Sequence, residues 1–285
     1  MSRPTDFLSF TTAAPLSASA SRSPLPPPRT AVLLTDTLEA PAQFALLQLI
    51  QRALRPQAHG GAGGMGASKA GGRRVVLVGV REREEYWAAL LRKTGIQLPT
   101  ETSAGHFSFI DASSPFLPLS VLYTSICEAL SASPATADEG PLLIIDDLSA
   151  LSWQGAGVRE AVKWWKAVRA AVDATHASLI TLLHADSLSP SHPPSPTSTT
   201  VPSHPFEDAE DQYLFRQVLQ RSDVWVEVAG LLTGGGAGGT RGEITVHRAP
   251  SLVEDGFTLD PAPPLQYKLE DSSAVYEVKG VGIFL

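Results

Sequence analysis

Two carboxylates at the end of an apolar run are the first candidates for chemistry. The run LLIIDD ends in Asp146 and Asp147, a pattern in which an ATPase acid holds Mg²⁺ or orients water. Asp36, His184 and Asp186 also follow apolar runs, and in a parallel sheet they would meet Asp147 at one edge. A metal-dependent hydrolase could use such a cluster. Alternatively, the carboxylates cap the helices and turns that follow.

The turn after the first apolar run lacks the residues that bind a triphosphate. A phosphate loop needs G-x-x-x-x-G-K-[ST], because backbone N–H groups wrap the phosphates and lysine supplies charge. The corresponding turn, TDTLEAPAQF, has neither glycine nor lysine, and its Asp36 and Glu39 would repel a triphosphate. Glycines at 61–66 and 234–239 match G-x-G-x-x-G, but neither set opens a helix after a strand. The sequence therefore predicts no cofactor and no catalytic activity.

Two groups of basic residues could contact nucleic-acid phosphates. The amphipathic segment VREAVKWWKAVRAAV places Lys163, Lys166 and Arg169 opposite its apolar positions. The second group brackets the second predicted strand and comprises Arg73, Arg74, Arg81 and Arg83. Either group can equally be a solvated surface. Because the net charge of the chain is −7, any contact with RNA must be local or shared with other chains.

The elements that would position these residues alternate between strands and helices. Apolar runs rich in Val, Ile and Leu predict strands at 31–35, 74–80, 107–111, 142–147, 178–184 and 224–230. Helical periodicity begins near Pro41, Glu82, Leu117, Val158 and Glu207. This order predicts an α/β fold with a mostly parallel sheet and helices on both faces. Beyond Leu231, glycine-linked alternating runs predict an antiparallel extension of the sheet.

Composition predicts one globular domain with disordered segments. A hydrophobic fraction of 43% over 285 residues can build a sizeable core. Residues 30–285 are predicted to form that domain, preceded by a disordered Ser-rich tail at 1–29 and interrupted by disordered insertions at about 57–72 and 187–205. The single cysteine, Cys127, excludes an intramolecular disulfide and favours a reducing compartment. No apolar run approaches the roughly 18 residues that span a bilayer.

Taken together, four segments resemble the Elongator complex protein 6 family. They are LLIIDDLSAL, SLITLLHAD, SDVWVEVAGLLTG with GEITVHR, and LQYKLEDSSAVYEVKG, in that order. The resemblance extends from about Ala31 to the C-terminus and includes a first strand without a phosphate loop. It implies a RecA-like fold in which Asp146 and Asp147 are a remnant of the ATPase acid motif. It does not assign individual tRNA-contacting residues.

The resemblance also implies partners and a process. Such a subunit would assemble with the fourth and fifth Elongator subunits into a hetero-hexameric ring that binds tRNA. The ring supports modification of wobble uridines by the remaining Elongator subunits, in the cytoplasm and also in the nucleus. A chain of this kind has no catalytic role of its own. Besides the hydrolase, a recombinase-like pseudo-ATPase adaptor remains an alternative, because it would share the fold and bind other proteins.

Overall fold

The computed structural model describes residues 6–12, 21–55, 72–115, 117–132, 140–185, 207–230, 240–249, 251–252 and 257–269. Its strands are β1 (Phe10–Thr12), β2 (Ser21–Ser23), β3 (Ala31–Asp36), β4 (Val75–Gly79), β5 (Phe107–Asp111), β6 (Leu142–Ile145), β7 (Ser178–His184), β8 (Val224–Gly230), β9 (Thr240–Arg248), β10 (Phe257–Leu259) and β11 (Leu265–Leu269). Its helices are α1 (Gln43–Leu54), α2 (Glu84–Lys93), α3 (Leu98–Ser103), α4 (Leu119–Ser131), α5 (Ser149–Trp153), α6 (Val158–Ala174) and α7 (Glu207–Leu219).

Eight of the strands form one sheet in the order β11-β9-β8-β3-β7-β6-β4-β5. The six strands from β8 to β5 in that order pair in parallel, whereas β9 and β11 continue the sheet as antiparallel neighbours. The predicted α/β architecture and its antiparallel extension are therefore confirmed. Because the parallel strands run the same way, all their C-terminal ends lie at one edge of the sheet and all their N-terminal ends at the other.

Helices cover both faces of this sheet. Helices α1, α2 and α3 pack on one face, where Val32 and Leu34 of β3 are buried. Helices α4, α5, α6 and α7 pack on the other, where Leu33 of the same strand is buried. Alternate residues of a strand point to opposite faces. A strand that is apolar at every position is thus explained by burial on both sides.

The N-terminal segment differs from the disordered tail predicted for residues 1–29. Strand β1 pairs with β10 on one side and with β2 on the other in a small antiparallel sheet. Phe7, Leu8 and Phe10 are buried in the same core as α1, and the hydroxyl groups of Ser9 and Thr11 donate to the carboxylate of Asp260. The prediction was wrong for these residues because their partner strand lies about 250 positions further along the chain. Residues 1–5 and 13–20 lie outside the described part.

The remaining domain predictions concern segments that are mostly not described. Residues 56–71 and 186–206 lie outside the described ranges, so the two predicted insertions stay predictions. The same holds for the glycine clusters at 61–66 and 234–239, and for the part of the predicted antiparallel extension that falls within residues 270–285. Within the described ranges, no helix is long and apolar enough to cross a membrane.

Candidate functional site

The carboxylate of Asp36 occupies the place where a phosphate loop would begin. It follows β3 directly, is only 2% exposed, and its Oδ2 accepts a hydrogen bond of 2.9 Å from the backbone N–H of Ala42, the residue that caps the N-terminus of α1. Its Oδ1 lies 2.8 Å from Nδ1 of His184. The N-terminal end of a helix attracts an anion through its free N–H groups and its dipole. Here the chain supplies that anion itself.

Asp146, at the end of β6, stabilises the turn that leads into α2. Its Oδ1 accepts hydrogen bonds from the backbone N–H of Val80 at 2.6 Å and of Arg81 at 3.1 Å. Its Oδ2 accepts from the N–H of Glu82 at 3.1 Å and from Nε1 of Trp87 at 3.3 Å. Burial raises the pKa of Asp146 to about 6, while these four donors favour the ionised form. Both oxygens are therefore committed to the protein's own turn.

Asp147 caps the short helix α5. Its Oδ1 accepts from the backbone N–H of Ser149 at 2.9 Å and of Ala150 at 3.3 Å, and its Oδ2 lies 3.9 Å from a guanidinium nitrogen of Arg81. Burial raises the pKa of Asp147 to about 7, and the nearby negative charge of Asp36 adds to the shift. The capping interpretation of the LLIIDD carboxylates thus agrees with their hydrogen bonds.

His184 completes this edge at the end of β7. Its backbone N–H donates to the hydroxyl of Ser149 at 2.9 Å, and its ring meets that of Trp153 edge to face at 6.0 Å. The structure therefore brings Asp36, Asp147 and His184 to one edge, as the sequence predicted. Asp186 lies outside the described residues. Within the described ranges, no three His, Cys, Asp or Glu side chains are grouped to hold a metal ion.

The second basic group does not form one surface, because its members lie at opposite ends of β4. Arg73 is 8% exposed, and its guanidinium donates to the carbonyls of Pro26, Gly140 and Pro141 and to the hydroxyl of Ser178. The prediction that Arg73 contacts tRNA is therefore corrected, because a phosphate cannot reach a guanidinium that is enclosed in this way. Arg74 is partly buried and donates to Ser108, and burial lowers its pKa. Arg81 and Arg83 are exposed at the C-terminal end.

The members of the first basic group also differ in their exposure and in their partners. Lys163 is well exposed and pairs with Glu160 one turn earlier on α6. The side chain of Arg169 is only 15% exposed and pairs with Asp173 and Asp223, so it joins α6 to the start of β8. Lys166 lies between these extremes and donates to the side-chain oxygen of Gln217 on α7 at 2.8 Å. Of the three, Lys163 is the most accessible to a polyanion.

Several residues that shape this region were not singled out by the sequence. Trp87 and Ser149 complete the hydrogen bonds around the buried carboxylates, and Ser149 stands at the first position of a helix that was not predicted. Trp153 is 60% exposed at the same edge. The signal for this turn was present, because an aspartate side chain often accepts a hydrogen bond from the backbone two residues further on, as Asp147 does from Ser149.

Comparison with known proteins addresses the fold. No protein-family model and no curated protein matches the sequence. Among solved structures, a KaiC-like protein from the hyperthermophilic archaeon Pyrococcus horikoshii OT3 superposes with a TM-score of 0.53 at 11% identity, covering 86% of each chain. The fold is RecA-like. At this identity the similarity concerns the fold alone, and the function of this RecA-like chain depends on its own residues.

Proposed function

We propose that this chain is a non-catalytic subunit of the Elongator complex. It would assemble with the fourth and fifth Elongator subunits into a RecA-like hetero-hexameric ring, in the cytoplasm and also in the nucleus. The ring would bind tRNA and support wobble uridine modification by the remaining subunits. The proposal combines the RecA-like fold, the four sequence segments that resemble this family, and one observation: Asp36 supplies an anion at the position of a phosphate loop.

The hydrogen bond between Asp36 and Ala42 argues against a nucleotide at this position. A phosphate would have to displace the carboxylate from the N-terminus of α1 and then remain beside its negative charge. The turn from Thr37 to Ala40 is closed by backbone hydrogen bonds between those two residues, so its N–H groups do not form an open cradle. Asp147, which would orient Mg²⁺, is buried against its own helix cap. A scaffold role fits this closed geometry.

The same edge carries apolar side chains that suit contact with another subunit. Leu38, in the turn after β3, is 76% exposed, and Trp153 is 60% exposed. Large apolar side chains at an exposed edge favour protein contacts, and tryptophan is enriched among the residues that dominate binding energy. A neighbouring ring subunit packed on this edge would cover both. Ring assembly therefore accounts for a tryptophan exposed next to a set of buried carboxylates.

The charge of the chain favours tRNA binding by the assembly rather than by this subunit alone. With a net charge of −7, the isolated chain repels a polyanion at long range. Lys163, Arg81 and Arg83 are the accessible members of the two basic groups. A few such residues release few counterions, so useful affinity requires basic surfaces from several subunits.

Identifying the bound partners tests the proposal most directly. The tagged full-length chain is purified at native expression level from its own cells, and the bound proteins are identified and quantified by mass spectrometry. We expect the fourth and fifth Elongator subunits in equal amounts to this chain. Recovery of recombination proteins instead would support the recombinase-like adaptor. Recovery of neither set would contradict a role as an obligate ring subunit.

A binding experiment with the reconstituted ring tests the role in tRNA recognition. At one fixed salt concentration, we expect the ring to bind tRNA and the isolated chain not to. Lys163→Glu combined with Arg83→Glu should weaken binding by the ring, whereas Arg92→Glu, an exposed charge reversal outside both groups, should not. Tight binding by the isolated chain would contradict a shared surface. If the wild-type ring and both variant rings bound tRNA equally well, the role of this subunit in the ring would be architectural only.

A further inference from the structure

A cleft opens at the other edge of the sheet, where the parallel strands begin. It encloses about 640 Å³, a size typical of small-ligand sites. Residues that precede β3 and β8 line it, together with the C-terminal half of α6. Its charged side chains are Arg29, Lys166, Arg169, Arg221, Asp173 and Asp223. Four basic groups against two carboxylates leave an excess of two positive charges, in a chain that is acidic as a whole.

Both carboxylates of this cationic cleft are already paired with Arg169. One guanidinium nitrogen contacts Asp173, and the other lies 3.2 Å from Oδ2 of Asp223. The same oxygen of Asp223 accepts a hydrogen bond from the backbone N–H of Ala31 at 2.7 Å. Asp223 thus joins α6 to the start of β3. The carboxylates serve the fold, and the charge of Arg169 is neutralised by them.

The other three basic side chains have no carboxylate partner within the described ranges. The guanidinium of Arg29 lies 3.0 Å from a ring nitrogen of His176, and Lys166 donates to the neutral amide of Gln217. Arg221 is exposed at the end of the turn that follows α7. Three cationic groups around one cleft repel each other, and an anion between them would remove that repulsion.

The backbone at Arg29 is strained in a way that glycine would avoid. The N–H of Thr30 bonds to the carbonyl of Pro27 at 3.2 Å, so Arg29 is the third residue of a four-residue turn. Its φ of 64° is in the left-handed region, where glycine or asparagine is preferred at this position. Strained residues with side chains at a cleft are often functional. The buried hydroxyl of Thr30, beside it, also has no hydrogen-bond partner in the described structure.

We propose that the cationic cleft binds a phosphate group, with Arg29, Lys166 and Arg221 as its cationic ligands. Guanidinium groups donate paired hydrogen bonds to phosphate oxygens, and an excess of two positive charges suits a dianion. The group would belong either to a small phosphorylated molecule or to an RNA backbone. The inference concerns the isolated chain and does not depend on assembly with Elongator subunits.

Calorimetric titration of pyrophosphate into the full-length chain, at one low salt concentration, tests this site. We expect saturable binding of one pyrophosphate per chain, weakened about tenfold or more by Arg29→Gly and by Arg221→Ala. Because Arg29→Gly relieves the backbone strain, its melting temperature should stay at or above that of the wild type. Arg92→Ala, which removes an exposed charge outside the cleft and outside both basic groups, should bind normally.

Two outcomes would overturn the proposal: no saturable binding, or equal weakening by Arg92→Ala, which would indicate a general charge effect. A competition arm then identifies the source of the phosphate. A short single-stranded RNA that displaces pyrophosphate from the wild type, and binds less well to the Arg221→Ala chain, would show that the cleft accepts a backbone phosphate. Failure of the RNA to displace bound pyrophosphate would show that the cleft accepts a small phosphorylated molecule.

Discussion

The two edges of the parallel sheet use charged residues in opposite ways. At the C-terminal edge, Asp36, Asp146 and Asp147 are buried, and the chain's own N–H groups satisfy them. At the N-terminal edge, Arg29 and Arg221 line a cleft and are exposed to solvent. Ligands of open α/β sheets usually bind at the C-terminal edge. In this chain the buried carboxylates of that edge are satisfied by internal hydrogen bonds, whereas the cleft lined by basic side chains lies at the other edge.

The difference shows that similar local chemistry can serve structure or binding, depending on burial. Arg73 and Arg29 both precede strands, yet Arg73 is enclosed by carbonyl groups whereas Arg29 is exposed. A buried polar group stabilises the fold only when its partners are all present. An exposed charge contributes little to stability and remains available to a ligand. Substitutions at the two kinds of position should therefore differ most in stability.

Replacement of Arg73 should give the largest effect on stability. Arg73→Ala removes four hydrogen bonds of a buried guanidinium and leaves the carbonyl of Gly140 without this donor, whereas Pro26 and Pro141 keep donors from Ser178. We expect a loss of about 4 kcal/mol in the free energy of unfolding. Denaturant titration measures this loss. The exposed Arg83 is the matched control, and Arg83→Ala should change stability by less than about 0.5 kcal/mol. Equal small effects would contradict the structural role of Arg73.

Replacement of Asp146 should have the next largest effect. Asp146→Ala removes the acceptor of three backbone N–H groups and of Nε1 of Trp87. Relief of a buried charge offsets part of this cost, and we expect a net loss of about 3 kcal/mol at pH 7. Asp111 serves as the control, because it is exposed and its side-chain hydrogen bonds in the described part of the chain are to Ser113, within its own turn. Asp111→Ala should lower the free energy of unfolding by less than about 1 kcal/mol. An equal loss in the two variants would contradict the structural role of Asp146.

Asp147 should make stability fall as pH rises. Its pKa is about 7 in the folded chain and about 3.9 when unfolded. Between these values the folded state binds more protons than the unfolded state, so its contribution is complete below pH 4 and is lost as pH rises through 7. Asp147→Asn keeps the Oδ1 cap of α5 but cannot ionise. Between pH 5 and 8, the free energy of unfolding of the wild type should fall by about 2.5 kcal/mol more than that of this variant. Parallel pH profiles would contradict the raised pKa.

Short stretches of sequence were enough to predict the strands of the parallel sheet. Mostly apolar runs of five to seven residues predicted every strand of the parallel sheet, because most positions of the central strands are buried on both faces. Partly exposed positions are found mainly in β5 and β8, which also carry polar residues. The meeting of Asp36, Asp147 and His184 followed from the common direction of those strands. By contrast, the burial of Phe10 depends on β10, and the enclosure of Arg73 depends on residues from Pro26 to Ser178. No short window of sequence contains those partners.

The cationic cleft was missed for the same reason. Its charged residues come from the turns that precede β3 and β8 and from the C-terminal half of α6, which are far apart in the sequence. Arg29 carried a usable signal, since PPPRT places an arginine where a proline-led turn prefers glycine. Lys166 and Arg169 were noted as part of a helix surface, but the pairing of Arg169 with Asp223 required the tertiary structure.

The central claim is that the C-terminal edge no longer binds a nucleotide, and titration of Mg-ATP tests it most directly. Calorimetry is carried out on the chain with both Arg29→Gly and Arg221→Ala, which suppress binding at the cationic cleft. The fluorescence of Trp153, exposed beside His184, reports on the C-terminal edge. We predict no binding heat and no fluorescence change, because Asp36 already occupies the N-terminus of α1. A dissociation constant in the micromolar range, abolished by adding Asp147→Ala, would contradict the account and support an enzyme.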